Sequence, residues 1–157
     1  MDRPSWDDFW MAHAALLSTR SHDPDTKHGA VIVDDRHRAI GMGYNGFCRG
    51  GPNDTRMVSR PEKYGEIVHA ETNAITNCRV PWLMRGATIY VTGCPCRRCM
   101  QLIIQNEITT VVIGDRESVM VGPDERGGIM DLANDHGIAL IEYTGDWRAV
   151  LNRAATY

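Results

Sequence analysis

Apolar side chains recur at helical spacing near the start of the chain, between Ser5 and Arg20. Ser5 can cap such a helix with its hydroxyl, and Asp7 and Asp8 fall in the first turn, where the helix dipole favours acidic side chains. The pattern predicts an amphipathic helix that ends in a loop containing Pro24. The positions that share the helical spacing are Trp6, Phe9, Trp10, His13, Leu16 and Leu17.

Short runs of apolar and β-branched residues predict the strands. Two of these runs, 29–33 and 39–44, flank a polar turn and predict a β-hairpin. Because helices alternate with strands in the second half, the pattern favours an α/β sheet with parallel strands there. The further predicted strands cover 87–92, 109–113 and 138–143, and the further predicted helices cover 69–78, 96–106, 129–136 and 146–155. The stretch 45–64 has no period and predicts a long loop.

Length and composition suit one soluble domain over residues 1–157. A chain of this size buries roughly 70% of its unfolded surface, and 43% of its residues are hydrophobic and 24% are charged. No apolar run approaches the roughly 18 residues of a membrane span. The first eight residues are acidic and lack the apolar core of an export signal, so we expect no membrane partner and a cytoplasmic location. The net charge of −3 argues against a nucleic-acid partner.

The cysteines are unevenly distributed along the chain. An odd count without an export signal argues against a disulfide framework. Three of the five lie within six residues, which indicates metal or redox chemistry. The cysteines are Cys48, Cys78, Cys94, Cys96 and Cys99.

Two short motifs, His69-Ala70-Glu71 and Pro95-Cys96-Arg97-Arg98-Cys99, each open a predicted helix. The helix dipole favours two thiolates at a helix start. Catalytic zinc takes three protein ligands and keeps a fourth position for water, so His69, Cys96 and Cys99 form a candidate ligand set for one Zn²⁺ ion. Zinc lowers the pKa of water, and Glu71 is placed to carry the proton to a ring nitrogen and a departing amine.

Each motif taken separately has a simpler explanation. A lone C-x-x-C pair fits a structural zinc site or a redox pair, and a lone H-x-E motif has little weight. A structural site would need a fourth ligand, for which Cys94 and Cys78 are candidates, although Cys94 lies on the wrong side of Pro95. The combination of H-x-E with P-C-x-x-C is the signature of the zinc-dependent nucleobase deaminases.

The chain also resembles the deoxycytidylate (dCMP) deaminases between about Ser21 and Ile108. The blocks that carry this resemblance are Ser21-x-Asp23-Pro24-x-Thr26-Lys27-x-Gly29-Ala30, Gly43-Tyr44-Asn45-Gly46-Phe47, His69-Ala70-Glu71-x-Asn73-Ala74-Ile75 and Pro95-Cys96-x-x-Cys99. The last two blocks are shared with the wider cytidine deaminase superfamily. The segment Gly43-Tyr44-Asn45-Gly46, together with Asn73-Ala74-Ile75, indicates the dCMP branch of this superfamily.

This resemblance implies a three-layer fold of the cytidine deaminase type, with a five-stranded mixed sheet flanked by helices. It implies hydrolysis of dCMP to dUMP for thymidylate synthesis, activation by dCTP, inhibition by dTTP and Mg²⁺ accompanying these effectors. A homo-oligomer is expected, a hexamer in many members. By analogy, Asn45 contacts the sugar, Ser21 and Lys27 bind the nucleotide, and Gly43, Tyr44 and Gly46 belong to the effector site.

Several residues depart from the family pattern, and their roles stay open. His28 is either a packed strand histidine or a nucleotide contact, and Arg97 and Arg98 either neutralise a phosphate or face solvent. Cys48 and Cys94 are unusual at their positions. Two other functions are also considered: a tRNA adenosine deaminase, and a zinc-stabilised binding module without catalysis.

Overall fold

The computed structural model describes residues 3–50, 65–114 and 123–156, with side chains described from residue 127 onward in the last range. The α-helices are α1 (Trp6–Ser18), α2 (Ala70–Asn77), α3 (Arg97–Gln105), α4 (Pro123–Asp135) and α5 (Trp147–Ala154). The strands are β1 (Gly29–Val33), β2 (Ala39–Tyr44), β3 (Gly46–Phe47), β4 (Ile67–Val68), β5 (Thr88–Val91), β6 (Thr110–Ile113) and β7 (Ala139–Glu142). Within these residues, no helix combines the length and the apolarity needed to cross a membrane.

Five strands form one mixed sheet in the order β2-β1-β5-β6-β7. Strand β1 pairs antiparallel with both β2 and β5, whereas β5, β6 and β7 run parallel. The parallel part arises because α3 and α4 connect successive strands, as a crossover connection requires. The predicted five-stranded mixed sheet is therefore confirmed.

Helices cover both faces of this sheet, which gives the predicted three layers. Along β1, Ala30 and Ile32 pack in a core with residues of α2, α3 and α4. Val31 and Val33 point to the other face and pack against α1. Because a strand sends successive side chains to opposite faces, a strand covered on both sides must be apolar throughout. All five residues of β1 are buried, as its sequence requires.

Helix α1 is capped and anchored by its acidic first turn. The Ser5 hydroxyl accepts a hydrogen bond from the Asp8 backbone N–H at 3.0 Å, which confirms the predicted N-cap. The Tyr90 hydroxyl donates to Asp7 at 2.7 Å, and the Tyr143 hydroxyl donates to Asp8 at 2.5 Å. Hydrogen bonds from Ser5 and Tyr143 lower the pKa of Asp8. These two carboxylates therefore tie the start of the chain to β5 and to the segment after β7.

Helix α2 lies directly over the edge strand β2. A Cβ atom on Gly41 would meet the Ala74 carbonyl oxygen at 2.5 Å, and one on Gly43 would meet the Ala70 carbonyl oxygen at 2.5 Å. The side chains of Asn73 and Asn77 donate to the carbonyl oxygens of Tyr44 and Met42, both at 2.8 Å. These amides satisfy backbone acceptors along an edge that would otherwise be open to another strand. The two glycines allow this close packing, and it positions the start of α2.

We expect Gly43→Ala to destabilise the protein by roughly 1–3 kcal/mol, the usual cost of overpacking a tight contact. The added methyl group meets backbone atoms of α2, and backbone cannot rotate away as a flexible side chain can. Chemical denaturation with a fixed m-value measures the change. Gly65→Ala is the matched control, because a Cβ at Gly65 meets nothing within 4 Å. Equal stabilities of the two variants would show that α2 does not depend on this contact.

The predicted elements differ from the structure by more than two residues at two places. The stretch 45–64 was expected to be a loop, but Gly46–Phe47 pairs antiparallel with Ile67–Val68, and both strands are too short to show a period. Residues 51–64 of that stretch lie outside the described residues. The helix expected from residue 129 begins at Pro123. Gly127 and Gly128 lie in the first part of this helix, and because glycine disfavours a helix interior, the sequence pattern did not predict helix there.

Candidate metal centre and active site

Two helix starts bring the predicted metal ligands together. His69 is the N-cap residue of α2, and Cys96 is the N-cap residue of α3. Both residues have extended backbone conformations, so their side chains can point away from the helix that follows. Cys99 lies one turn further along α3 and is buried. The two helices pack side by side on the same face of the sheet, which places the three side chains at one point.

The three side chains have the spacing that a tetrahedral zinc ion requires. The Nδ1 atom of His69 lies 3.6 Å from Cys96 Sγ and 3.4 Å from Cys99 Sγ. All the ligand atoms lie within 4.8 Å of one another. Bond lengths of about 2.3 Å to sulfur and about 2.0 Å to nitrogen, at tetrahedral angles, separate the ligand atoms by roughly 3.5–3.8 Å. The residues therefore fit a zinc ion with three protein ligands.

The cluster is also electrostatically prepared for a cation. Hydrogen bonds from Cys99 and His69 lower the pKa of the Cys96 thiol to about 3. The same hydrogen bond raises the pKa of Cys99, and the hydrogen bond with Cys96 raises the pKa of His69. These contacts favour the thiolate form at Cys96. Binding of a zinc ion releases the remaining protons, because thiolate sulfur and neutral imidazole are the ligand forms.

Glu71 lies beside the cluster and is only 5% exposed. Burial raises the pKa of its carboxyl group above the ordinary value, and its own backbone N–H and the nearby His69 ring oppose that rise. A carboxyl group with a raised pKa can both accept and donate a proton near neutral pH. The position and environment of Glu71 therefore match those of a general acid–base.

Cys94 and Cys78 are the candidates for a fourth zinc ligand, and their positions can be compared with the metal-competent cluster. Among the described residues, the metal-competent cluster contains His69, Cys96 and Cys99 and includes neither Cys94 nor Cys78. The Cys94 thiol instead contacts the Pro95 carbonyl oxygen at 3.7 Å and packs against the core. Three protein ligands with a buried carboxyl group beside them are typical of a catalytic site rather than a structural one.

The sequence pattern did not single out Thr72 or Asn77. The Thr72 hydroxyl lies 3.8 Å from Cys99 Sγ, so it supports a metal ligand from α2. Asn77 covers the edge strand one turn after Asn73 and also accepts a hydrogen bond from Arg49. The spacing of four residues between the two asparagines is the signal that could have revealed their common role.

The predicted substrate residues all make hydrogen bonds to the loop that precedes β1. The Asn45 side chain is buried; its oxygen accepts from the His28 backbone N–H at 2.7 Å, and its amide nitrogen donates to the Thr26 carbonyl at 2.8 Å. The Lys27 ammonium group donates to the Ser21 carbonyl oxygen at 2.5 Å. Ser21 is buried, and its hydroxyl accepts from a backbone N–H at 3.2 Å. Asn45 thus shapes the 21–28 loop, and substrate contact by Asn45, Ser21 and Lys27 stays a prediction.

The predicted effector residues lie where β2 ends. Gly43 and Gly46 are buried, and Gly43 is directly under α2. The Tyr44 carbonyl oxygen accepts the hydrogen bond from Asn73 described above. These contacts give all three residues a place in the scaffold of the site, and their role in effector binding stays a prediction.

The residues that depart from the family pattern have identifiable surroundings. His28 is half-buried, and its ring Nδ1 lies 3.2 Å from the Thr92 hydroxyl. The Arg97 side chain lies against Gly128 of α4, where the absence of a Cβ leaves room for the guanidinium group. Arg98 and Cys48 are exposed. Arg97 therefore joins α3 to α4 as well as meeting solvent.

The fold and the cluster define a class: a three-layer α/β protein with a zinc site whose ligands begin two adjacent helices. The family model of the cytidine and deoxycytidylate deaminase zinc-binding region matches residues 4–115. The chain belongs to this family.

Relatives with curated names are similar over the same region. A probable deoxycytidylate deaminase from Drosophila melanogaster is 39% identical over 118 residues, covering 68% of this chain and 58% of that protein. The deoxycytidylate deaminase of Mycobacterium phage D29 is 37% identical over 125 residues, covering 71% of this chain and 96% of that protein. The chain thus spans less than two thirds of the fly protein and nearly all of the phage protein.

A solved structure confirms the fold. The dCMP deaminase from cyanophage S-TIM5 in apo form superposes with a TM-score of 0.66, covering 90% of this chain and 100% of that chain. Its sequence identity is 20%, so the likeness concerns the arrangement of helices and strands.

Proposed function

We propose that this protein hydrolyses the exocyclic amine of dCMP and releases dUMP and ammonia. The observation that carries the proposal is the buried Glu71 carboxyl group beside a three-ligand zinc cluster. The Drosophila and phage relatives named as deoxycytidylate deaminases support dCMP as the substrate. The fold of the S-TIM5 enzyme, which has also been solved in complex with dCMP and dUMP, agrees with this choice.

The chain supplies three parts of the reaction. His69, Cys96 and Cys99 would hold the zinc ion, which when bound supplies Lewis-acid activation of water. The Glu71 carboxylate takes a proton from the attacking water, whose oxygen bonds to the ring carbon that carries the amine, and delivers the proton to the adjacent ring nitrogen. The proton of the newly added hydroxyl then passes through Glu71 to the amine, the carbon–nitrogen bond breaks as the oxygen becomes a carbonyl, and ammonia leaves. The raised pKa of Glu71 suits this alternation.

Regulation and assembly belong to the same proposal. By analogy with the family, dCTP activates and dTTP inhibits, Mg²⁺ accompanies the triphosphates, and Gly43, Tyr44 and Gly46 contribute to the effector site. A homo-oligomer, a hexamer by the same analogy, would be detected by sedimentation.

One deaminase domain over residues 1–157 is supported by a sheet built from both halves of the chain. A cytoplasmic location agrees with five cysteines that form no disulfide in the described part of the chain, as a reducing compartment would allow.

The proposed activity is tested by the loss of cytosine absorbance when the zinc-loaded protein meets dCMP, dCTP, deoxycytidine or a tRNA anticodon stem-loop separately. We expect turnover of dCMP well above that of the other three. Inosine formation in the stem-loop would favour the tRNA adenosine deaminase instead, which the net charge of −3 disfavours. A folded, zinc-loaded protein that releases no ammonia from any of them would be a binding module.

We expect Asn45→Ala to raise KM for dCMP and to lower kcat/KM by about ten-fold or more, with the zinc content unchanged. The variant loses the proposed sugar contact and the two hydrogen bonds that hold the 26–28 segment, each worth roughly 1 kcal/mol. Steady-state kinetics and metal analysis measure both effects. Asn106→Ala is a control on a half-buried amide, which donates to the Leu102 carbonyl oxygen of its own helix at 2.8 Å and lies outside the predicted substrate residues. An unaltered kcat/KM for Asn45→Ala would remove Asn45 from substrate binding.

A further inference from the structure

A cavity of about 490 Å³ lies on the face of the sheet opposite the zinc cluster, between α1 and α5. Its walls include Ala15 from α1 and Leu151 from α5. Thr92 and Gly114, which directly follow the parallel strands β5 and β6, form part of its boundary. The volume lies in the range of roughly 300–1,000 Å³ that small-molecule sites occupy. Ligands of α/β proteins bind at this end of the sheet, outside the carboxyl ends of parallel strands.

The cavity is lined by basic groups from two separate elements. Lys27 and His28 come from the segment before β1, and Arg148 comes from the first turn of α5. Among the described residues that line the cavity, none is acidic. The chain as a whole carries a net charge of −3, so this local excess of cationic side chains is not a consequence of composition. The lining therefore favours an anion.

The basic side chains are held in place by their neighbours. The Arg148 guanidinium carbon lies 4.4 Å from the ring centroid of Trp147, a cation–π contact that restricts its rotamers. The Lys27 ammonium group is tethered to the Ser21 carbonyl, and the His28 ring contacts the Thr92 hydroxyl. Such restraint reduces the entropy that binding would otherwise cost.

Two carboxylates beside the cavity wall, those of Asp8 and Asp146, accept hydrogen bonds from other groups of the protein. Asp8 accepts hydrogen bonds from the hydroxyls of Tyr143 and Ser5, and from the Asp146 backbone N–H at 3.1 Å. The Asp146 side chain caps α5 by accepting from the Ala149 backbone N–H at 3.1 Å. These contacts also fix the segment before α5, which carries Arg148, relative to α1. The cavity therefore has a rigid wall on the side of its arginine.

The cavity and the zinc cluster share structural supports. Thr92 contacts His28 at the cavity and begins the short segment that leads to Cys96. Asn45, at the end of β2, holds the backbone on both sides of Lys27. A group bound in the cavity would thus contact the same loop that borders the proposed substrate site.

We propose that this cavity binds the phosphate group of a nucleotide, with Arg148 and Lys27 as its charged partners and His28 as a further donor. The inference rests on the proposed function, which supplies the nucleotide. The phosphate comes either from the substrate itself or from a second, regulatory nucleotide. Arg148 lies outside the blocks that carry the family resemblance, so no motif assigns it this role.

The test compares wild type with Arg148→Ala and with Arg153→Ala, a matched control on the same helix that does not line the cavity. Steady-state kinetics are measured with dCMP and with deoxycytidine, which lacks the phosphate. Calorimetry measures binding of dCMP, dCTP and inorganic pyrophosphate. Loss of a charged hydrogen-bond partner of phosphate typically weakens binding about 10- to 100-fold.

If the cavity holds the substrate phosphate, Arg148→Ala lowers kcat/KM for dCMP at least ten-fold more than for deoxycytidine. If it holds a regulatory nucleotide, the loss is confined to dCTP binding. Arg148→Ala values within two-fold of wild type for every ligand, or equal losses for dCMP and deoxycytidine, would overturn the proposal.

Two further measurements keep the outcomes separate. Lys27→Ala removes the second charge from a different element, so it provides the same test if Arg148→Ala does not fold. Calorimetry with pyrophosphate does not depend on turnover. Arg148-dependent pyrophosphate binding by a protein that deaminates nothing would retain the cavity and reject the proposed function.

Discussion

Glu71→Gln is expected to retain one zinc ion per chain and its thermal stability, and to lose turnover of dCMP by at least about 10²–10⁴-fold. General acid–base catalysis alone contributes about that factor. Glutamine has the size of glutamate but cannot accept and return the proton. Because Glu71 is buried with a raised pKa, the neutral amide replaces a carboxyl group whose charge is disfavoured by its surroundings. Rapid kinetics, metal analysis and thermal unfolding on one preparation measure all three quantities.

The control for this substitution is Glu107→Gln. Glu107 is exposed, and its carboxylate forms a long ion pair with Arg85 at 3.9 Å, so replacing the carboxylate by an amide should change neither turnover nor stability measurably. Near-normal turnover in Glu71→Gln would remove Glu71 from the mechanism. Loss of zinc from that variant would instead make the carboxylate a metal ligand, contrary to the three-residue cluster of the structure.

Cys99→Ala is expected to lower the zinc content from one ion per chain to nearly none and to reduce turnover by more than about 10³-fold. Cys99 is the buried ligand, and its thiol joins the His69 ring and Cys96 in the cluster. A metal present at 1,000 times its dissociation constant stabilises the native state by about 4 kcal/mol. The variant should therefore unfold at a lower temperature, and a chelator should no longer lower that temperature further.

Cys48→Ala is the matched control, because Cys48 is exposed and lies outside the cluster. It should keep the zinc, the activity and the sensitivity of wild type to chelation. Full zinc occupancy in Cys99→Ala would show that another side chain replaces this ligand. In that case the three-ligand assignment would be wrong.

Much of the fold could be predicted because its elements carry strong local patterns. The bounds of β1 and β2 agree with their apolar runs, and the N-cap of α1 is the serine that the first-turn acids indicated. The sequence pattern did not predict elements that are stabilised by contacts with distant segments rather than by their own local sequence. The β3–β4 pair has two residues in each strand, and its pairing depends on contacts between segments that are far apart in sequence.

The metal ligands and the proton carrier could be identified from residue types and spacing, since their chemistry requires histidine, cysteine and glutamate at helix starts. The separation of 3.4–3.6 Å between the His69 ring nitrogen and the two cysteine sulfur atoms depends on α2 and α3 packing side by side, which no local pattern predicts. The burial of Glu71 and the presence of Lys27 and Arg148 around one cavity likewise depend on how distant segments pack. Spacing along the chain specifies which groups a helix start can present, whereas distances, burial and pKa values arise from packing between elements.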